Sequence, residues 1–314
     1  MGRIRRTAVT TSVAIVILAG AGAAGVTPAV AARGGGSTAT LALSHICTSA
    51  KRPKLAARIS AGVAAALAPR THSVVGLAVA DPAADLTCQF QQKLHFYSAS
   101  VIKVTIISAL LLKVHGPSGL TKAQRSLAYL MITQSSNDAA TALWNDVGMT
   151  DMQRFLNSAG MRHTMLSDAW GLTLITAQDE LRLLHVLTSS GKVLGKYSRR
   201  YVLWLMSKVI PAERWGVPAG APSGVTVHVK NGWLSYPRAD DWNINSIGAF
   251  TGKNIGYRIV ILTGPSASGQ SESYGIQTVQ AAAEVINRQI AGRSAANAAS
   301  VSRPDRAALA APGG

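Results

Sequence analysis

From Ala99 to Leu112 the chain is apolar around every face that a helix could present, and Lys103 is the only charge in the run. A helix that is apolar all round is a buried one. Other stretches are apolar on one side only. Lys54 to Leu67 predicts an amphipathic helix with its basic residues together, and helical patterns recur at Lys122–Ile132, Asp138–Val147, Asp151–Ser158, Gln178–Leu187 and Ser198–Val209. Ser73–Ala80 and Leu86–Gln92 are strand-like runs, joined by a turn at Asp81-Pro82-Ala83. Three more β-rich runs follow late, Val225–Trp233, Trp242–Phe250 and Ile255–Leu262, the last two linked around Gly252-Lys253-Asn254. A final helix is expected from Tyr274 to Ile290.

This order, helix, two strands, a helical block, three strands, helix, predicts an α+β fold of the α/β sandwich type. Its antiparallel sheet is built from both chain ends and flanked by helices, with a helical subdomain inserted. A cleft between two such parts is a natural ligand site. The chain divides into a signal peptide (1–31), a Gly/Ala/Ser linker or arm (32–48), one domain (49–290) and an Ala/Ser/Gly/Pro-rich tail (291–314) expected to be disordered.

The signal peptide reading rests on Arg3, Arg5 and Arg6, an apolar stretch to Val26, and Ala29-Val30-Ala31. Gly20, Gly22, Gly25 and Pro28 interrupt that stretch, which argues against a stable membrane anchor. The expected location is therefore secreted or extracytoplasmic. Export permits a disulfide, and Cys47 and Cys88 offer one pairing, with two unpaired thiols as the alternative. The formal net charge is +17, or +14 without the three leader arginines. Anionic cell-envelope polymers are the partner this charge suggests, through adhesion to the cell wall. No nucleic-acid motif accompanies it, so nucleic acid is not an expected partner. The histidines and cysteines form no metal spacing, and neither metal nor cofactor is expected.

Lys103 brings in the chemistry. Ser100 stands three residues before it, so both lie on one helical face and the amine can reach the hydroxyl. Burial disfavours the ammonium and makes Lys103 a proton acceptor near neutral pH. The plainer alternative is a lysine whose amine snorkels to the surface. The same spacing recurs at Ser189–Lys192, where Gly191 marks a simple helix stop.

Two further motifs follow in the chain, Ser135-Ser136-Asn137 and Lys230-Asn231-Gly232. With Ser100-Val-Ile-Lys103 they resemble the signature of serine β-lactamases and penicillin-binding proteins. The likeness spans nearly the whole mature domain and is nearest in layout to class A β-lactamases. It implies a β-lactamase-like fold and an acyl-enzyme formed on Ser100 from a β-lactam or a D-Ala-type peptide. Carried over, Lys103 takes the hydroxyl proton, Ser135 relays a proton to the leaving nitrogen, and Lys230 supplies positive charge. Asn137 binds the substrate's amide side chain. The backbone N–H groups of Ser100 and Trp233, beside Gly232, form the oxyanion hole. Ser135 and Asn137 could instead cap the helix that follows.

The chain also departs from that pattern. Asn231 stands where the family has a hydroxyl that grips the substrate carboxylate; an amide grip, aided by Arg238, is one substitute. Met161 to Thr176 holds no glutamate to activate the deacylating water, and Asp168 is its only acid. Either Asp168 takes that role or deacylation is slow, as in a DD-peptidase trapped by penicillin. Trp170 is a cleft wall or plain core. His228 shares a strand face with Lys230 and either tunes its charge or is structural. A catalytically silent envelope-binding protein is the rival from outside enzymology.

Overall fold

A computed structural model describes residues 45–236, 241–253 and 255–301. The expected signal peptide, most of the arm, Arg238 and residues 302–314 lie outside them. The described residues belong to one compact unit, Ala31–Gly314, and no helix among them is long and apolar enough to cross a membrane.

Five long or medium strands, β2 (Ser73–Asp81), β3 (Leu86–Phe90), β6 (Thr226–Ser235), β7 (Trp242–Gly252) and β8 (Ile255–Pro265), join the short β1 (Cys47–Thr48) in one sheet. Its order is β1-β3-β2-β8-β7-β6, antiparallel throughout. The seam between the chain's two ends is the β2–β8 pair, with Leu77 opposite Ile261. A sheet drawn from both ends is what the order of the patterns predicts. A disulfide joins Cys47 to Cys88, which face each other across β1 and β3.

Helices cover both faces of the sheet, and two consecutive residues of β8 show it. Tyr257 donates its hydroxyl to Asn287 at 2.7 Å, on helix α7 (Glu272–Val301). Arg258 points to the opposite face and donates to Thr188 at 2.9 Å, on α5 (Ala177–Thr188). Helix α1 (Pro53–Leu67) lies beside α7: a Cβ on Gly62 would stand 2.6 Å from Val285.

Helix α2 (Ile102–Lys113) is the all-apolar run, and every residue from Ile102 to Leu111 is buried, Lys103 included. Around it stand α3 (Lys122–Thr133), opened by a capping box of Thr121 and Gln124, and α4 (Asn137–Ala159). Gly148 leaves the helical region inside α4 (φ 74°, ψ 157°), which accounts for the two separate helical patterns read there. Helix α6 (Lys196–Ser207) completes the inserted block.

Helix α7 runs past the expected end at Ile290 to Val301, so it enters the stretch read as tail. Alanine is the best helix former, and Ala291 and Ala295-Ala296 continue the helix that the packed part begins. The start of α2 also differs from expectation. Ala99–Val101 is a separate 3-10 turn, and Ser100 sits in it rather than in the helix proper.

Candidate active site

Strand β6 is an edge of the sheet, and the Ala99–Val101 turn packs against it at Gly232. A Cβ at Gly232 would lie 2.8 Å from Ser100 N, 2.9 Å from Ser98 O and 2.9 Å from Val101 N, all backbone atoms that cannot yield. Glycine is therefore what lets the strand come this close to Ser100. The turn is braced from behind. Asn243 and Asn245, alternate residues of β7, each donate to Tyr97 O at 2.8 Å, and Asn245 also reaches Ser98 O at 3.3 Å. Strand β4 (Phe96–Tyr97) pairs with β5 (Leu174–Ile175), and Ser98 N donates to Thr173 O at 2.8 Å. Ala99 is left with φ 46°, a left-handed conformation that a non-glycine residue holds only under surrounding constraint.

Ser135 lies between α3 and α4 and is also left-handed, with φ 56°. Lys103 fixes it by donating to Ser135 O at 2.6 Å, and donates again to Asn137 Oδ1 at 2.8 Å. Its distance to Ser135 Oγ is 3.3 Å. Lys230, from β6, donates to Ser135 Oγ at 2.8 Å and to Asn231 O at 2.8 Å. The Ser135 hydroxyl thus stands between two lysine amines that come from opposite sides of the fold.

The two amines differ in charge. Burial, reinforced by the Lys230 ammonium and opposed by Glu213, lowers the Lys103 pKa to about 6. Burial, opposed by Glu213, lowers that of Lys230 to about 8. Near pH 7 Lys103 is then mostly neutral and Lys230 mostly charged. A neutral amine has two N–H groups and one lone pair. Ser135 O and Asn137 Oδ1 take the two N–H groups, which leaves the lone pair to accept a hydroxyl proton. The Trp170 ring covers the same amine, 4.9 Å from its centroid, so Trp170 is a wall of the site.

The four residues expected to carry the chemistry, Ser100, Lys103, Ser135 and Lys230, come together with Asn137, Gly232 and Trp233. Ser100 Oγ has no hydrogen bond among the described residues, and the hydrogen bonds of Lys103 go to the Ser135 segment. Two expectations need correction. Helix α4 is capped by Ser136, whose hydroxyl accepts from Ala139 N at 3.2 Å, so neither Ser135 nor Asn137 serves as cap. Asn231 faces away from Ser100: it donates to Glu213 O at 2.8 Å and Trp215 O at 2.9 Å, and accepts from Ser246 Oγ at 2.6 Å. Both its N–H groups are used inside the protein, so it has none for a substrate carboxylate. Asp168 is exposed and makes no hydrogen bond or ion pair among the described residues. His228 is the structural residue of the two readings. Its ring bridges Leu203 O at 2.7 Å and Thr251 Oγ1 at 2.8 Å, tying β6 to α6 and β7.

Sequence reasoning missed Glu213, whose Oε2 lies 3.9 Å from Lys230 Nζ and has no hydrogen-bond partner. No motif marks it. It also missed Asn243 and Asn245, although two asparagines at alternate positions of a strand are an unusual choice that could have flagged them.

A β-lactamase enzyme family model matches residues 115–290, a span that begins after Ser100 and Lys103. Among curated proteins nothing matches. Solved structures share the fold. A class A β-lactamase from Bacteroides cellulosilyticus DSM 14838 superposes with TM-score 0.65 at 17% identity, over 75% of this chain and 98% of that one. A β-lactamase from Sphaerobacter thermophilus DSM 20745 gives 0.60 at 21%, over 77% and 98%. A variant of PBP-A, captured as an acyl-enzyme complex with penicillin G, gives 0.61 at 16%, over 73% and 94%.

Proposed function

From the premise that the chain belongs to the β-lactamase enzyme family, we propose that it is an extracytoplasmic serine amidohydrolase working through an acyl-enzyme on Ser100. The observation that carries this reading is the Ser135 hydroxyl held between a lysine lowered to about 6 and a lysine that stays charged at pH 7.

In the first half-reaction the Ser100 hydroxyl proton passes to the Lys103 lone pair as Oγ bonds to the substrate carbonyl carbon. Backbone N–H groups of Ser100 and Trp233 take the oxyanion, a contribution of roughly 3–4 kcal/mol per donor in comparable sites. The proton then moves from Lys103 through Ser135 to the leaving nitrogen, and the C–N bond breaks. Lys230 supports the charge on Ser135 as it relays. Water subsequently adds to the acyl carbon, the acid leaves, and Ser100 regains its proton. The Cys47–Cys88 bond supports a site of action outside the reducing cytosol.

One feature favours slow hydrolysis of the acyl-enzyme, the behaviour of a penicillin-binding peptidase. The 161–176 loop has no glutamate, and its one acid, Asp168, is exposed and has no bonded partner among the described residues. The test is a time course of intact mass after mixing with a penicillin, beside Ser100→Ala. A persistent one-drug adduct absent from Ser100→Ala is expected. An adduct of equal yield in Ser100→Ala would refute the proposed nucleophile, and rapid clearance with turnover would refute slow deacylation.

A further inference from the structure

Among the described residues, Lys230 and Asn231 are side chains at this site fitted by chemistry to hold a carboxylate; both Asn231 N–H groups and two of the three on Lys230 are already engaged within the protein. An ammonium has three N–H groups. Two from Lys230 go to Ser135 Oγ and Asn231 O, each at 2.8 Å. The Glu213 carboxylate lies on the remaining side at 3.9 Å, where its Oε2 has no other partner.

Glu213 is held there by the chain around it. It ends a 3-10 turn, Pro211–Glu213, and its carbonyl accepts from Asn231. Trp215 O takes the second Asn231 N–H, and Val217 N donates to Ser246 Oγ at 2.9 Å. Gly216 is left-handed at φ 81°, and a Cβ there would collide with Ser246. The segment's backbone is thus bonded to β6 and β7 along its length, which sets the Glu213 carboxylate beside Lys230.

We propose that the site selects acyl donors lacking a free carboxylate near the scissile bond, neutral amides or esters, with Glu213 as the residue that disfavours the anion. This rests on the Ser100 acyl-transfer reading and names its substrate class. An incoming carboxylate would have to compete with Glu213 for Lys230 and would meet a like charge at short range in a partly desolvated wall.

Benzylpenicillin and its methyl ester differ at that one charge and share the reacting lactam, so they make a matched pair. Rate constants for Ser100 labelling are measured by intact mass for each, on the wild type and on Glu213→Gln. In the wild type the ester should react faster by about tenfold or more, the scale of one unfavourable charge contact at a partly buried site. In Glu213→Gln the ester-to-acid ratio should fall by about tenfold. A wild type that prefers the free acid overturns the substrate class, and needs no variant. A ratio unchanged in a folded Glu213→Gln overturns the role of Glu213. Absence of Ser100 labelling by either compound overturns the acyl-transfer reading and this inference together.

Discussion

Lys103 is buried in the first turn of an apolar helix, and that burial carries both its use and its cost. With a pKa of about 6 in the fold and an ordinary value near 10.5 in the unfolded chain, the unfolded state binds the extra proton between those limits. Stability therefore rises with pH from about 6 upward, at up to about 1.4 kcal/mol per unit from this residue. Lys230 adds a contribution of the same sign from about 8. Lys103→Met should flatten the rise between pH 6 and 8 while stopping acylation, read as urea midpoints across that interval. A slope equal to that of the wild type would show that Lys103 is not a buried base. The Ser100–Lys103 pair was legible in the sequence because its spacing is local, whereas Ser135 and Lys230 lie 32 and 95 residues from the partners they meet and were picked out only through the resemblance of their motifs. The direction of Asn231 was not legible. It depends on where residues 213–217 lie, and those pack beside β6 through contacts that no local pattern encodes.

Among the elements, β6 and the Ala99–Val101 turn form the pairing on which the site depends. Gly232 is the contact point, and added bulk there meets backbone rather than movable side chains. Gly232→Ala should lose about 1–3 kcal/mol of stability, the usual cost of overpacking. It should also slow Ser100 labelling by on the order of 100-fold, since displacements of about 1 Å have that effect. Thermal melting and labelling rates measure the two; a variant that labels at the wild-type rate would separate β6 from the nucleophile. Element types were readable from periodicity, and both halves of α4 were found because Gly148 interrupts the pattern. Their ends were less so. The 3-10 turn carrying Ser100 follows a segment that Asn243 and Asn245 hold from a distant strand, which no local pattern shows, and α7 continues to Val301 through an alanine-rich stretch.

The whole molecule closes its sheet with strands from both ends of the chain, and the Cys47–Cys88 bond pins the outer edge of that closure. The bond spans a sequence separation of 41 residues. By chain entropy its loss destabilises the fold by about 4 kcal/mol. Paired Cys47→Ser and Cys88→Ser substitutions should lower the unfolding free energy, read from the denaturant midpoint and slope, by that amount; an unchanged midpoint would mean the edge contributes little. The sheet's composition from two ends was visible in the order of patterns. The placement of Glu213 against Lys230 was not, because it joins a loop to a strand across the assembled fold.

The most direct test of the account is the pH dependence of the Ser100 labelling rate under single-turnover conditions. A base that must be neutral and a second lysine that must be charged give a bell, with an acid limb at about 6 and a basic limb at about 8. A rate that climbs steadily toward pH 10, as an ordinary lysine would impose, would contradict the assignment of Lys103 as the base.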